Sequence, residues 1–168
     1  MKKVFRRERS LLKPARLENP SEVYKESFIE ALEEFQSDPG GGRYSEKDIA
    51  DFKEDFNTLL HKIEMLKSPD PDIIFAKVPQ SEYWLINNDK YIGRVTIRHK
   101  LNPQLEKIGG HIGYDIRPTE RKKDYGKKIL ELGIEKANNW ALIEYSSRVI
   151  RIISALEKFR ESRRGTSE

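Results

Sequence analysis

Cysteine is absent from this chain of 168 residues. Without thiols the chain forms neither a disulfide scaffold nor a Cys-based zinc site, and it has no thiol nucleophile. Long apolar runs are also missing, since none approaches the roughly 20 residues that span a bilayer. The basic segment 1–10 is not followed by an apolar stretch, which argues against a secretory signal. These absences predict a soluble, cytoplasmic protein with no membrane partner.

Apolar residues are scarce relative to charged ones. Hydrophobic and charged residues each make up 36% of the chain, so the sequence can bury one core and predicts a single domain over 11–168 after a basic tail at 1–10. The net charge of +4 is concentrated at the two ends. Basic ends can bind nucleic acid through its phosphates. Because they carry no recognisable binding module, solvated tails are the preferred interpretation and nucleic acid is not an expected partner.

The first half of the chain predicts a short edge strand and two amphipathic helices. The strand lies within 11–17, and apolar residues recur at helical spacing over 21–36. A Pro-Gly-Gly-Gly segment ends that helix. A second apolar stripe predicts one continuous helix, from a capping box formed by Ser45 and Asp48 to about residue 66.

The second half changes to the period of strands. Aromatic and β-branched residues predict strands at 83–86 and 91–98, joined by a hairpin turn at 87–90. A third strand is predicted at 110–117 and a helix at 121–137. Two helices, an antiparallel meander and a strand-loop-helix unit predict a mixed α/β (α+β) domain.

The stretch from Gly109 to Gly126 carries the clearest chemical signal. A strand that enters a basic turn and then a helix presents unpaired backbone amides and the positive end of the helix dipole. Positively charged side chains suited to phosphate surround this turn: Arg121, Lys122, Lys123, Lys127 and Lys128. From the residues alone, a phosphate site and a solvated basic helix start are both open.

This stretch resembles the GNAT superfamily of N-acetyltransferases, whose acetyl-CoA signature is (Q/R)-x-x-G-x-(G/A) at a strand-to-helix junction. Arg121 and Gly126 match the first and last positions. The preceding Gly-Gly-His-Ile-Gly-Tyr strand and the upstream strand at 92–99 also look like a bacterial subgroup of predicted acetyltransferases. The resemblance covers 11–137 and implies a central, mostly antiparallel sheet flanked by helices.

The resemblance implies direct transfer of an acetyl group from acetyl-CoA, as cosubstrate, to an amine on a small molecule or a peptide. The pantetheine arm is expected to pair with the backbone of Ile116 and Arg117, and the pyrophosphate to lie on the amides of the turn. Cofactor contacts are thus assigned to Ile116, Arg117, Arg121, Lys122, Lys123, Asp124, Tyr125, Gly126 and Lys127. A homodimer stays open, as does a catalytically inactive remnant or binding module.

One residue departs from the signature. Asp124 stands where the family has its middle glycine. A Cβ and a carboxylate at that position obstruct close approach of the backbone and repel a pyrophosphate. A single like-charge contact at reduced dielectric is worth a few kcal/mol. Although neighbouring lysines offset part of this repulsion, the sequence predicts weakened binding of acetyl-CoA.

A histidine in the motif strand is the candidate catalytic residue. His111 can relay a proton near neutral pH, whereas a histidine satisfied within the sheet is the alternative. Asp115 and Glu120 can also act as bases, although surface or capping roles are the preferred interpretation. His61 belongs to no pattern of metal ligands, and no metal site is predicted.

The resemblance ends abruptly after Ala137, where the family continues with a strand and a final helix. If one base was lost from a lysine codon there, 138–159 re-reads, with free choice of wobble bases, as KQLGFNRVFVTCDKNNIGSRKV. That string resembles the missing strand and a T-C-D-x-x-N-x-x-S-x-x-V block of the family. The atypical segment 138–168 is therefore either a frameshifted acetyltransferase tail or a divergent one that forms an amphipathic helix. The nucleotide sequence at the Ala137 codon distinguishes the two.

Overall fold

The computed structural model describes residues 14–68 and 78–138. The predicted basic tail and, from residue 139 on, the atypical C-terminal segment lie outside the described residues. The elements, in chain order, are β1 (Arg16–Glu18), α1 (Lys25–Gln36), α2 (Glu46–Glu54), α3 (Phe56–Met65), β2 (Gln80–Asn87), β3 (Lys90–Arg98), α4 (Pro103–Lys107), β4 (Ile112–Ile116) and α5 (Tyr125–Asn138). Within these two ranges, no helix has the length and apolar character to cross a membrane.

The strands form one antiparallel sheet in the order β1-β2-β3-β4. β2 and β3 are joined by a tight turn in which Asn88 and Asp89 have φ angles of 49° and 60°. Both are residue types that tolerate this conformation, and such turns match the twist of a hairpin. The predicted hairpin is therefore confirmed.

Helices cover both faces of the sheet. Trp84 and Leu85 are neighbours in β2, they point to opposite faces, and both are completely buried. Trp84 packs into a core with residues of α1, α2 and α3. Leu85 belongs to a second core with Ile129 and Ala137 of α5. The predicted mixed α/β fold, with an antiparallel sheet flanked by helices, is confirmed at this level.

The predicted single helix up to residue 66 is wrong, because the chain breaks between α2 and α3. Asp55 has extended backbone angles, with φ −130° and ψ 92°. Its carboxylate accepts hydrogen bonds from the amides of Asn57 at 3.1 Å and Thr58 at 3.4 Å. Asp55 thus caps a new helix.

Two other helices also begin at a residue whose side chain caps the first amides. The predicted capping box is confirmed: the Asp48 amide donates to the Ser45 hydroxyl at 3.1 Å, and the Ser45 amide donates to the Asp48 carboxylate at 2.9 Å. The short helix α4 was not predicted. It begins after Asn102, whose side-chain oxygen accepts from the Leu105 amide at 2.9 Å.

Gly93 in β3 allows a close approach between strands. A Cβ placed on Gly93 would lie 2.3 Å from the backbone oxygen of Asp115 and 3.1 Å from Cα of Ile116. Since backbone atoms cannot move aside as a flexible side chain does, we expect Gly93→Ala to lower the free energy of unfolding by about 2 kcal/mol. Urea denaturation followed by circular dichroism measures this.

The matched control for this substitution is Gly126→Ala. A Cβ there would meet the Tyr114 ring at 3.7 Å, an ordinary van der Waals distance. Because Gly126 is helical, alanine is expected to be neutral or to gain about 0.5 kcal/mol. Equal stability of the two variants would contradict the close approach at Gly93.

Candidate functional site

The strand-to-helix junction is a tight turn over 121–124. β4 ends at Ile116, a 3₁₀ turn spans Pro118–Glu120, and α5 begins at Tyr125, four residues later than predicted. Lys122 and Asp124 have φ angles of 62° and 63°. This is the left-handed region that favours glycine, so the chain adopts a glycine-like backbone at the position where the family signature has its middle glycine.

The side chain of Arg121 points from the turn toward α1. Its two terminal nitrogens donate to the two carboxylate oxygens of Asp38, each at 3.0 Å. Its Nε donates to the Ile116 carbonyl at 3.2 Å, and the guanidinium lies 5.8 Å from the centre of the Phe35 ring. Arg121 therefore holds the turn against the end of α1 through its side chain.

Arg117 is buried and connects the sheet to α1. Its side chain donates to Glu34 at 2.8 Å and to Glu30 at 3.0 Å. Its amide donates to the Ile92 carbonyl at 2.8 Å, and its carbonyl accepts from the Glu120 amide at 2.9 Å. Both backbone polar groups of Arg117 thus have protein partners. The alternation along β4 directs the amide of the preceding residue, Ile116, away from β3.

The cations of the turn differ in their surroundings. Lys122 is exposed. Lys123 pairs with Glu120 at 2.9 Å, and Glu120 also pairs with Lys90 at 2.8 Å. Although burial opposes it, hydrogen bonds from these two lysines hold the pKa of Glu120 below its usual value. Glu120 is therefore an ionised anchor of the turn and a poor candidate for a base.

The start of α5 contacts the sheet. The hydroxyl of Tyr125 accepts a hydrogen bond from the Asn87 amide group at 2.6 Å. Gly126 faces the ring of Tyr114 in β4. Lys127 is half-buried in the first turn of the helix. The predicted cofactor residues 121–127 therefore form one continuous surface beside β4, with Tyr125 as its structural anchor.

His111 lies at the start of β4 with one ring nitrogen engaged. Its Nδ1 is 2.8 Å from the Arg98 carbonyl, to which it donates, because a carbonyl oxygen can only accept. This geometry matches the alternative given above, a histidine satisfied within the sheet. His111 does not line the cavity that lies between α1, β3 and β4.

A cavity of about 230 Å³ lies between α1, the segment after α1, and strands β3 and β4. Its walls combine aromatic rings with charged groups. The lining residues are Phe28, Leu32, Phe35, Asp38, Gly40, Gly41, Arg43, Tyr44, Tyr91, Arg94, Asp115 and Arg121. Arg121 belongs to both features, so the cavity adjoins the basic turn.

Ion pairs organise the floor of the cavity. Arg94 lies opposite Asp115 in the sheet register and contacts its carboxylate at 2.6 Å. The same guanidinium contacts Glu82 at 3.1 Å, and Arg43 reaches Glu82 at 3.3 Å. Glu82 is buried and also accepts from the Trp84 indole at 3.0 Å. Burial raises the pKa of Glu82.

The sequence favoured a surface or capping role for Asp115 over that of a base, whereas the side chain is half-buried and lines the cavity. Burial raises its pKa to about 6, while Arg43 and Arg121 act in the opposite direction. Arg94 binds Oδ2, whereas Oδ1 is closed to water and has no hydrogen-bond partner within the described parts of the chain. A carboxylate of this kind is a candidate base for an ammonium group at neutral pH. The available signal was its position directly opposite an arginine on the face covered by α1.

No family model matches the chain, and neither does a curated protein or a solved structure. The structural observations that bear on function are therefore the basic turn and the cavity beside it.

Proposed function

We propose that this protein is an N-acetyltransferase that transfers an acetyl group from acetyl-CoA directly to an amine. The observation that carries the proposal is the position of Asp115. This partly buried carboxylate, with a pKa raised to about 6 by burial, lies in a cavity that adjoins the basic turn. One strand therefore brings a candidate proton acceptor next to a candidate phosphate site.

The turn offers most of what a pyrophosphate requires. The first amides of α5 lack helical partners by position, and a helix start favours negative charge. Lys122 and Lys123 add exposed cationic groups. The exposed carboxylate of Asp124 opposes an anion, and Glu120 offsets part of the charge of Lys123. Acetyl-CoA would supply an activated acetyl thioester, held by the backbone of 121–126 with Lys122 and Lys123 at its phosphates.

Asp115 has the proton chemistry for the transfer. The acceptor ammonium gives one proton to Asp115, whose Oδ2 is held in place by Arg94. The nitrogen then forms a bond to the acetyl carbonyl carbon while the C–S bond breaks. The second proton released from nitrogen goes to the departing thiolate. No covalent bond to the protein forms, in line with the absence of cysteine.

The test is amine-dependent release of the CoA thiol. Purified protein is incubated with acetyl-CoA and a panel of primary amines, and free thiol is followed with a chromogenic disulfide reagent. We expect release above the rate without amine for at least one acceptor, with the acetylated amine identified by mass spectrometry. Release that never exceeds the protein-free rate, for any amine in the panel, would contradict the proposal.

A non-catalytic binding module is the second candidate, and Asp124 favours it. Its carboxylate lies in the turn where a pyrophosphate would bind. This alternative predicts that a small molecule binds in the cavity while acetyl-CoA neither binds nor turns over. Calorimetric titration with acetyl-CoA at low salt separates the two, because electrostatic contributions are least screened there.

A further inference from the structure

We infer that the cavity beside Asp115 binds a small zwitterionic amine with an aromatic body, such as an aromatic α-amino acid. That this molecule is also the acetyl acceptor rests on the function proposed above. Its recognition by the cavity rests on size, wall chemistry and charge.

The size of the cavity limits the ligand. Its volume of about 230 Å³ is below the ~300–1,000 Å³ of pockets that take drug-sized ligands. A single amino acid is of this scale.

The walls of the cavity favour an aromatic body. Phe28 and Tyr91 meet edge to face with ring centres 5.0 Å apart. Phe35 lies beneath Arg121, and Tyr44 contacts Phe52 edge to face at 5.1 Å. Phe28 and Tyr91 are almost completely buried, so they fix the back of the cavity. Phe35 and Tyr44 are half-buried, and their exposed edges are the part that can contact a ligand ring.

The charges around the cavity are balanced. Three arginines form direct ion pairs with three carboxylates. Arg43 and Arg94 both pair with Glu82, Arg94 also pairs with Asp115, and Arg121 pairs with Asp38. A ligand with no net charge leaves this balance intact. A simple cationic amine or a simple anion adds one unpaired charge to a site of reduced dielectric, which is unfavourable.

Two charged groups that line the cavity are partly exposed, and they have opposite sign. Arg43 makes the longest of these ion pairs, 3.3 Å to Glu82, and its side chain is 43% exposed. A guanidinium has five N–H donors and suits a carboxylate. The side chain of Asp115 is 34% exposed. Because Oδ1 is closed to water, a ligand ammonium meets the carboxylate on its Oδ2 side, next to Arg94. The ligand is therefore oriented with its carboxylate toward Arg43 and its ammonium toward Asp115.

Three matched probes test this inference by isothermal titration calorimetry at neutral pH. L-Phenylalanine carries both charged groups, 2-phenylethylamine lacks the carboxylate, and 3-phenylpropionate lacks the amine. We expect L-phenylalanine to bind about tenfold or more tightly than either analogue, since each analogue loses a charge-assisted hydrogen bond. Equal binding of the three, tighter binding of an analogue, or no heat with any of them would overturn the inference.

Substitution of Arg43 assigns the carboxylate contact. In Arg43→Gln we expect L-phenylalanine to lose its advantage over 2-phenylethylamine, whereas Arg43→Lys retains part of it. Lys53→Gln is the matched control, because Lys53 pairs with Glu33 at 2.6 Å on the surface, away from the cavity. An Arg43→Gln variant that melts like the parent and still prefers L-phenylalanine would contradict the assignment.

The same probes separate this inference from the proposed function. If L-phenylalanine binds as expected but no amine releases thiol from acetyl-CoA, the transferase proposal fails and the ligand inference is supported. If thiol is released with 2-phenylethylamine but not with L-phenylalanine, the transferase proposal is supported and the ligand inference is overturned.

Discussion

Asp115→Asn is expected to lower the turnover number for acetyl transfer by about 10²–10⁴-fold at neutral pH, the usual contribution of a positioned general base. Asparagine occupies nearly the same space and still offers an oxygen to Arg94, but it cannot take a proton from an ammonium. Steady-state thiol release at saturating acetyl-CoA measures the loss. Melting curves of the variant are needed alongside, to exclude unfolding as its cause.

The pH profile identifies Asp115 more specifically. Burial raises its pKa to about 6, and only the deprotonated carboxylate acts as a base. The rate constant kcat/KM should therefore fall about tenfold per pH unit below pH 6 and level off above it. This acidic limb should disappear in Asp115→Asn. An unchanged limb in that variant would assign the titration to another group.

Two further variants control for this result. Asp38→Asn removes the same charge from the cavity lining, but both oxygens of Asp38 are held by Arg121. We expect it to alter KM more than kcat. His111→Gln should retain both the turnover number and the acidic limb, because the histidine is engaged by Arg98. If His111→Gln removes the limb and Asp115→Asn keeps it, the catalytic role belongs to His111.

Local chemistry explains which parts of the fold were predictable. The hairpin at Asn88 and Asp89 and the capping box at Ser45 depend on residues within a few positions of one another. The break at Asp55 was missed because the apolar spacing continues across it, through Phe52 and Phe56, as though the helix were continuous. Cap chemistry at Asp55 decided the outcome, and apolar periodicity does not report on caps.

The candidate site also has one part that the sequence predicts and one part that it does not. The basic turn is contiguous in the chain, so its charge and its helix start are visible in the sequence. The cavity depends on contacts between distant segments. Arg94 meets Asp115 only through the register of β3 and β4. Arg43 reaches Glu82 only because α1 and α2 fold over the sheet. Arg117 was assigned to the cofactor by the resemblance, but its side chain is buried and binds Glu34 and Glu30 of α1. A sequence motif does not report such a contact between distant segments.

Asp124→Gly is expected to tighten binding of acetyl-CoA by about ten- to a hundredfold at low salt. Asp124 is exposed, so its repulsion of a pyrophosphate is partly screened, which places the gain at the lower end of a few kcal/mol. Calorimetric titration measures the affinity. Micromolar binding by the parent that Asp124→Gly does not improve would contradict the predicted repulsion.

Backbone and charge contribute separately to this gain, and two matched variants divide them. Asp124→Asn removes the charge but keeps a Cβ. Its increase in acetyl-CoA affinity should therefore be electrostatic and should become smaller as the salt concentration is raised. Lys122→Gly relieves the same left-handed backbone, at φ 62°, while it removes a cation. It should raise the melting temperature, as Asp124→Gly does, but weaken acetyl-CoA binding. If a phosphate binds at this turn, Asp124→Gly and Lys122→Gly should change the affinity for acetyl-CoA in opposite directions while they change the stability alike. Relief of backbone strain alone cannot produce that result.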